Sequence, residues 1–221
     1  MTKPLPVVLA TGNAGKVREF ARLLAPIFLI EMLPAGLSLP AETGQTFAAN
    51  ARLKAEAVFA ALGGGIAVLA DDSGLEVAAL GGRPGVQSAR YAGEGASDSE
   101  NVSKLLNELT GCVDREARFV CSLCLILPSG AGVGENAHIL EVRGFSKGRI
   151  TSSPRGSLGF GYDPVFKPEG WDLTLAEADP ADKDRISHRG AAARALVELI
   201  AGGAEGVPPG GLDEEPLTRG S

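Results

Sequence analysis

The chain has 221 residues, 44% of them apolar and 22% charged, with a net charge of −6. That is ordinary for a globular domain or two joined lobes, and no apolar run is long enough to span a membrane. The acidic balance argues against a general nucleic-acid binder, which needs a basic face against phosphates, yet it permits a small polyanion held by a few lysines.

The N-terminal stretch M-T-K-P-L-P-V-V-L-A is too short in its apolar part for a signal peptide, so a cytoplasmic location is expected. Residues 5–10 read as an apolar strand running into T-G-N-A-G-K, which is Thr11, Gly12, Asn13, Ala14, Gly15 and Lys16. Val17, Phe20, Leu23 and Leu24 then recur at helical spacing. Strand, glycine loop and helix is an arrangement that holds phosphates, through loop amides and a helix N-terminus. The spacing is not that of the P-loop, because only Asn13 and Ala14 separate Gly12 from Gly15. A lysine in a first helical turn opposes the macrodipole, so Lys16 is expected to serve something outside its helix.

Residues 27–33 form a second apolar run, and residues 35–45 read as a loop that carries Glu42. Thr46 reads as the N-cap of an Ala-rich helix. Asn50 and Lys54 lie one turn apart on it, on a face that is either part of a site or, as is usual for such a pair, solvated surface.

Residues 66–70, I-A-V-L-A, read as a strand buried on both faces, ending at Asp71, Asp72, Ser73 and Gly74. Adjacent side chains on a strand point to opposite sides, so the two aspartates should do different jobs. A carboxylate at a strand end suits Mg²⁺; the alternative is a D-D-S-G turn that merely stops the strand. Residues 75–79 read as a return strand, and the segment after them is rich in Gly and Arg. A helix is expected from residue 98 to 109, and strands over 116–127 and 137–145 should pair as an antiparallel hairpin.

Cys121 and Cys124 sit in that hairpin as C-S-L-C. Residues three apart on a strand face opposite sides, which disfavours zinc or redox chemistry and favours buried, inert thiols. The loop G-S-L-G-F-G-Y-D-P-V-F over 156–166 has glycines for close approach to a ligand and rings to present, in Phe160 and Tyr162. A last helix follows I-S-H-R-G, with Ser187 as its N-cap and Lys183, His188 and Arg189 grouped near its start. Residues 202–221 are nearly half Gly and Pro and read as disordered, leaving 1–201 as one domain.

The motifs T-G-N-A-G-K, E-T-G-Q-T-F, A-D-D-S-G-L, P-G-V-Q-S-A-R-Y, G-F-G-Y-D-P-V-F and I-S-H-R-G resemble, in order and spacing, the inosine/xanthosine triphosphate pyrophosphatase family. Family members convert deaminated purine triphosphates to monophosphate and pyrophosphate. The resemblance runs from about residue 5 to 201. It implies an α/β, two-lobed fold with a long mixed β-sheet flanked by helices, a homodimer, and Mg²⁺ dependence. It implies that Thr11, Gly12, Asn13, Ala14, Gly15, Lys16 and Lys54 surround the triphosphate. Asp72 matches the catalytic base and a metal carboxylate, Glu42 a metal ligand, and Ser73 a substrate contact. Phe160, Gly161, Tyr162, Asp163, Lys183, His188 and Arg189 match the nucleoside-binding set. One departure is Ala49, where family members often carry an acid. Two rival readings are the related septum-linked nucleotide pyrophosphatases, against which F-G-Y-D and I-S-H-R-G argue, and a nucleotide sensor without catalysis.

Overall fold

The computed structural model describes residues 3–130 and 137–202. Six strands form one sheet in the order β2-β1-β3-β4-β5-β6. The first strand, β1 (Leu5–Leu9), lies between β2 (Phe28–Glu31) and β3 (Ala67–Val77) and is parallel to both. Helices α1 (Ala14–Leu23) and α2 (Phe47–Ala61) make these crossovers, as parallel neighbours require. Strands β4 (Glu116–Leu127) and β5 (His138–Ile150) are neighbours, and β6 (Phe166–Pro168) closes the sheet antiparallel to β5. With parallel and antiparallel pairs in one sheet flanked by helices, the α/β fold class is the one the sequence implies. Among the described residues three further helices follow, namely α3 (Asp98–Glu108), α4 (Pro180–Ile186) and α5 (His188–Ala201).

Among the described residues the chain forms two compact units. The first comprises 3–72, 121–130, 137–144 and 189–202, and the second 73–120 and 145–188. In the first unit the alternation of β3 sorts its side chains onto two cores. Ala67 and Leu69 pack with Phe20 and Leu24 of the α1 segment and with Ala192, Ala193 and Leu196 of α5. Val68 and Ala70 pack with Ala51, Ala55 and Val58 of α2. The second unit is built around Leu75, Val77, Leu105, Phe119, Tyr162 and Phe166, among others.

Several local expectations are revised. The D-D-S-G segment does not end a strand: β3 runs through it to Val77, and Ala78–Leu80 is a 3-10 turn in place of a return strand. Turn chemistry loses here because both aspartates find buried cationic partners within the fold. β5 continues to Ile150, five residues past its expected end. Two short elements, β6 and α4, were not expected. The signal for α4 is nonetheless present, because Asp179 caps it by accepting from the Asp182 amide and Pro180 follows at the first helical position. Cys121 and Cys124 form no disulfide, are buried, and belong to different cores. No helix among the described residues is long and apolar enough to cross a membrane. The expectation of a disordered tail falls, from residue 203 onward, outside the described residues.

Candidate active site

In the first unit the core alternation of β3 carries straight on into the carboxylates. Asp71 extends the face of Ala67 and Leu69, and Asp72 that of Val68 and Ala70. Their surroundings differ accordingly.

Asp71 is fully buried, and its Oδ2 lies 2.7 Å from Lys16 Nζ and 3.9 Å from Arg189 Nε. Burial alone would raise its carboxyl; the charges of Lys16, Arg189 and Lys54 outweigh that and hold it far below the usual range. Lys16 therefore has its partner outside its own helix, as its position against the macrodipole requires. Arg189 also donates from Nη1 to Glu19 Oε2 at 3.1 Å, a pair buried at both ends.

Asp72 faces α2. Asn50 Nδ2 donates to its Oδ2 at 3.0 Å, and Lys54 Nζ stands 3.5 Å from its Oδ1. Lys54 donates at 2.7 Å to Glu42 Oε1. Burial pushes Asp72 up to about 6, with Lys54 opposing the rise and the charge of Glu42 adding to it. For Lys54, burial favours the neutral form, but Asp71, Asp72 and Glu42 together win and raise it. The Asn50–Lys54 face is thus no solvated surface. Asn50 is 0% and Lys54 4% exposed, because their acidic partners lie on β3 and on the loop before α2.

The T-G-N-A-G-K loop is tied within itself. Asn13 caps α1, its Oδ1 accepting from the amides of Gly15 and Lys16, and Thr11 Oγ1 accepts from the Asn13 amide. Gly12, Asn13 and Ala14 are exposed.

In the second unit the Gly-rich loop forms a second cluster. Asp163 Oδ2 accepts from the Phe160 amide at 2.9 Å and from Lys183 Nζ at 2.7 Å, and that ammonium lies 5.1 Å from the centre of the Phe160 ring. Gly159 is required here. It has φ +78°, and a Cβ on it would come 2.1 Å from Asp163 Oδ2. The Gly161 amide donates to Asp98 Oδ2 at 2.6 Å. Tyr162 is 4% exposed and its hydroxyl donates to the Ser88 carbonyl at 2.9 Å, which makes it a core residue. Phe160 is the half-buried ring of the pair. His188 is buried and stacked on Phe119, with centroids 4.5 Å apart and planes 10° from parallel. Ser73 is half-buried in β3.

The structure therefore divides the expected residues into two groups. Lys16, Lys54, Glu42, Asp71, Asp72 and Arg189 meet in the first unit, and Phe160, Asp163 and Lys183 in the second. Arg189 joins Glu19 and Asp71, whereas its neighbours in sequence, Lys183 and His188, pair with Asp163 and Phe119. Four participants escaped the sequence reading: Glu19, Ser88, Asp98 and Phe119. Only Glu19 carries a signal, as an acid one position before Phe20 on the inner side of α1, where a buried charge demands a partner.

The Ham1 family model matches residues 7–199. A dITP/XTP pyrophosphatase of Methylacidiphilum infernorum is 47% identical over 194 residues, covering 86% of this chain and 91% of its own. The Ham1 protein structure from Staphylococcus aureus superposes with a TM-score of 0.75 at 40% identity, covering 89% of this chain and 98% of that one. A HAM1 protein from Coxiella burnetii gives 0.76 at 38% identity, with 90% and 100% covered. With the match running from β1 nearly to the end of α5, and with relatives close to half identical along most of their length, the chain belongs to the Ham1 family.

Proposed function

We propose that this protein hydrolyses deaminated purine nucleoside triphosphates, ITP, dITP and XTP, to the monophosphate and pyrophosphate. The names of its relatives support the activity, and the observation that carries it to this chain is buried Asp72 held beside Lys54 and Glu42. A triphosphate needs its charge neutralised and a water aimed at phosphorus. Lys16 and Lys54 are the cations for the phosphate chain, supported by the exposed Gly12, Asn13 and Ala14 of the loop beside Lys16. Asp72, poised at about 6, suits a base that takes the proton of the attacking water near neutral pH. The water oxygen joins phosphorus as the anhydride bond breaks, and pyrophosphate leaves.

Mg²⁺ belongs to the same reading. Asp72 and Glu42 are hard oxygen donors that raise each other's demand for positive charge, with Lys54 shared between them. No group of three or more His, Cys, Asp or Glu able to hold a metal occurs among the described residues. Mg²⁺ is commonly held by one or two carboxylates together with substrate phosphates and water, so the donor set fits. When bound, the ion supplies charge neutralisation on the phosphates and polarises the phosphorus to be attacked.

The second-unit cluster takes the purine. Phe160 offers a ring face, and Lys183 offers only donors, which suit the C6 keto oxygen of hypoxanthine and xanthine and oppose the amino group of adenine. Ser73, Gly161, His188 and Arg189 enter as substrate-binding residues on the resemblance alone, and Tyr162, whose hydroxyl donates to the Ser88 carbonyl, as the buried support of the same loop. A homodimer enters on the same resemblance. Pyrophosphate release measured with Mg²⁺ across ITP, dITP, XTP, ATP and GTP tests the whole proposal: comparable kcat/KM on ATP and ITP refutes the substrate class, and no release from any of them refutes the reaction.

A further inference from the structure

Asn50 makes two hydrogen bonds of opposite sense from a fully buried position. Its Nδ2 donates to Asp72 Oδ2 at 3.0 Å, and its Oδ1 accepts the Gly44 amide at 2.7 Å. An ionised carboxylate only accepts and a peptide N–H only donates, so a side-chain amide in this orientation satisfies both at once. An acid here would set charge against Asp72, and an aliphatic side chain would leave the Gly44 amide without its acceptor.

The approach of the loop to α2 is correspondingly tight. A Cβ on Gly44 would lie 2.6 Å from Asn50 Oδ1 and 2.9 Å from the Ala49 Cβ. Gly44 follows Glu42 by two residues, so the same amide ties the loop bearing Glu42 to the strand bearing Asp72. By occupying Oδ2, Asn50 also leaves Oδ1 as the oxygen facing Lys54, at 3.5 Å. Without Asn50 the Asp72 carboxylate loses the donor that holds Oδ2, which weakens the constraint on its orientation against the Lys54 ammonium.

We propose that Asn50 is a positioning residue, which sets the orientation of the Asp72 carboxylate and its register against Glu42 without touching substrate. The inference rests on the reading of Asp72 and Glu42 given under the proposed function. Groups that orient a metal-binding or reacting carboxylate typically matter by ~10- to 100-fold in activity or metal affinity.

The test uses the full chain carrying Asn50→Ala, Gly44→Ala, both together, and Asp72→Asn as reference. Steady-state kinetics on ITP at saturating Mg²⁺ are joined by Mn²⁺ titration calorimetry without nucleotide and by thermal melting. Asn50→Ala should lower kcat by ~10- to 100-fold and weaken Mn²⁺ binding by about tenfold, while KM stays within about threefold, as for a group that acts on the reacting centre and not on ground-state binding. Gly44→Ala, which pushes the Asn50 amide from the other side, should move kcat and Mn²⁺ affinity in the same direction. The double variant should lose less than the two effects combined, because both act on one contact. Turnover lost in Asp72→Asn but retained in folded Asn50→Ala, with Mn²⁺ affinity unchanged, overturns this inference alone. If Asn50→Ala does not fold, Gly44→Ala decides, and wild-type kcat and Mn²⁺ affinity in it overturn the inference. Turnover retained in Asp72→Asn overturns the site reading and this inference with it.

Discussion

Lys16 Nζ lies 2.7 Å from Asp71 Oδ2, joining the first turn of α1 to a strand residue with no exposure at all. The lysine side chain keeps only 15% of its surface in solvent. The cation proposed to meet a phosphate is therefore also the partner of a buried carboxylate, and its removal should show in two measurements.

Lys16→Ala should weaken ITP binding much more than binding of inosine monophosphate, and should also destabilise the fold. Breaking a buried pair from one side leaves its charge uncompensated, at a cost of about 3–5 kcal/mol; Arg189 and Lys54, which also act on Asp71, should keep the loss to the low end. Urea unfolding gives the second quantity. Adding Asp71→Asn to Lys16→Ala should restore part of that stability, and equal affinity losses for the two nucleotides would show that Lys16 does not read the phosphate chain.

Asp72→Asn should cut turnover by ~10²- to 10⁴-fold, the usual effect of losing a general base. In metal-free protein the same change should stabilise. Burial raises Asp72 from its ordinary 3.8 to about 6, so the folded state binds a proton that the unfolded chain has already released. Stability from this group is thus full below 3.8 and falls as pH rises toward about 6. In EDTA, the variant should lose that fall and should exceed wild type at pH 7 by up to about 3 kcal/mol, the rise from 3.8 to about 6 taken at 1.36 kcal/mol per pH unit. Denaturant melts at pH 4 and pH 7 decide it; parallel pH profiles for the two proteins would mean that Asp72 is not strained by burial.

The two rings of the Gly-rich loop should separate cleanly. Tyr162→Phe removes one buried hydrogen bond, to the Ser88 carbonyl, and should cost about 1–2 kcal/mol of stability with kcat/KM unchanged. Phe160→Ala should spare stability and raise KM for ITP, since stacking on a base contributes about 1–3 kcal/mol. A KM effect in the first variant and none in the second would exchange their roles.

Lys183→Met should narrow the preference for ITP over ATP by lowering kcat/KM on ITP, with ATP little changed. Asp163 would then lose the cation that lies 2.7 Å from it, so Asp163→Asn in the same background should recover stability but not selectivity. Unchanged discrimination in Lys183→Met would remove the donor from base recognition.

How much of this was legible in the sequence depended on distance along the chain. Thr46 capping α2 and Asn50 lying one turn from Lys54 are local facts, readable from spacing and found as read. Which way that face turns was not readable, because Asn50 and Lys54 take acidic partners 22 and 12 residues away. The A-D-D-S-G segment misled for the same reason. Its residues favour a turn, and Lys16, Asn50 and Lys54, each remote in sequence, hold it extended. Arg189 adjoins His188 and still belongs with Glu19, 170 residues away, a pairing that no local pattern encodes. Capping at Asp179 and the acid Glu19 on the inner side of α1 were the missed signals that the local chemistry did contain.

The passage of β3 straight through Asp71 and Asp72 means that parity alone assigns the two acids their work. A loop would let each side chain find its own direction; a pleated strand allots directions strictly by turns. Deleting one residue between β1's partner positions on β3 and Asp71 would hand each carboxylate to the other's helix, Asp71 toward Lys54 and Asp72 toward Lys16, with composition and charge almost untouched. The chemistry of this site is thus a matter of counting, odd against even, and the strand is the device that keeps count.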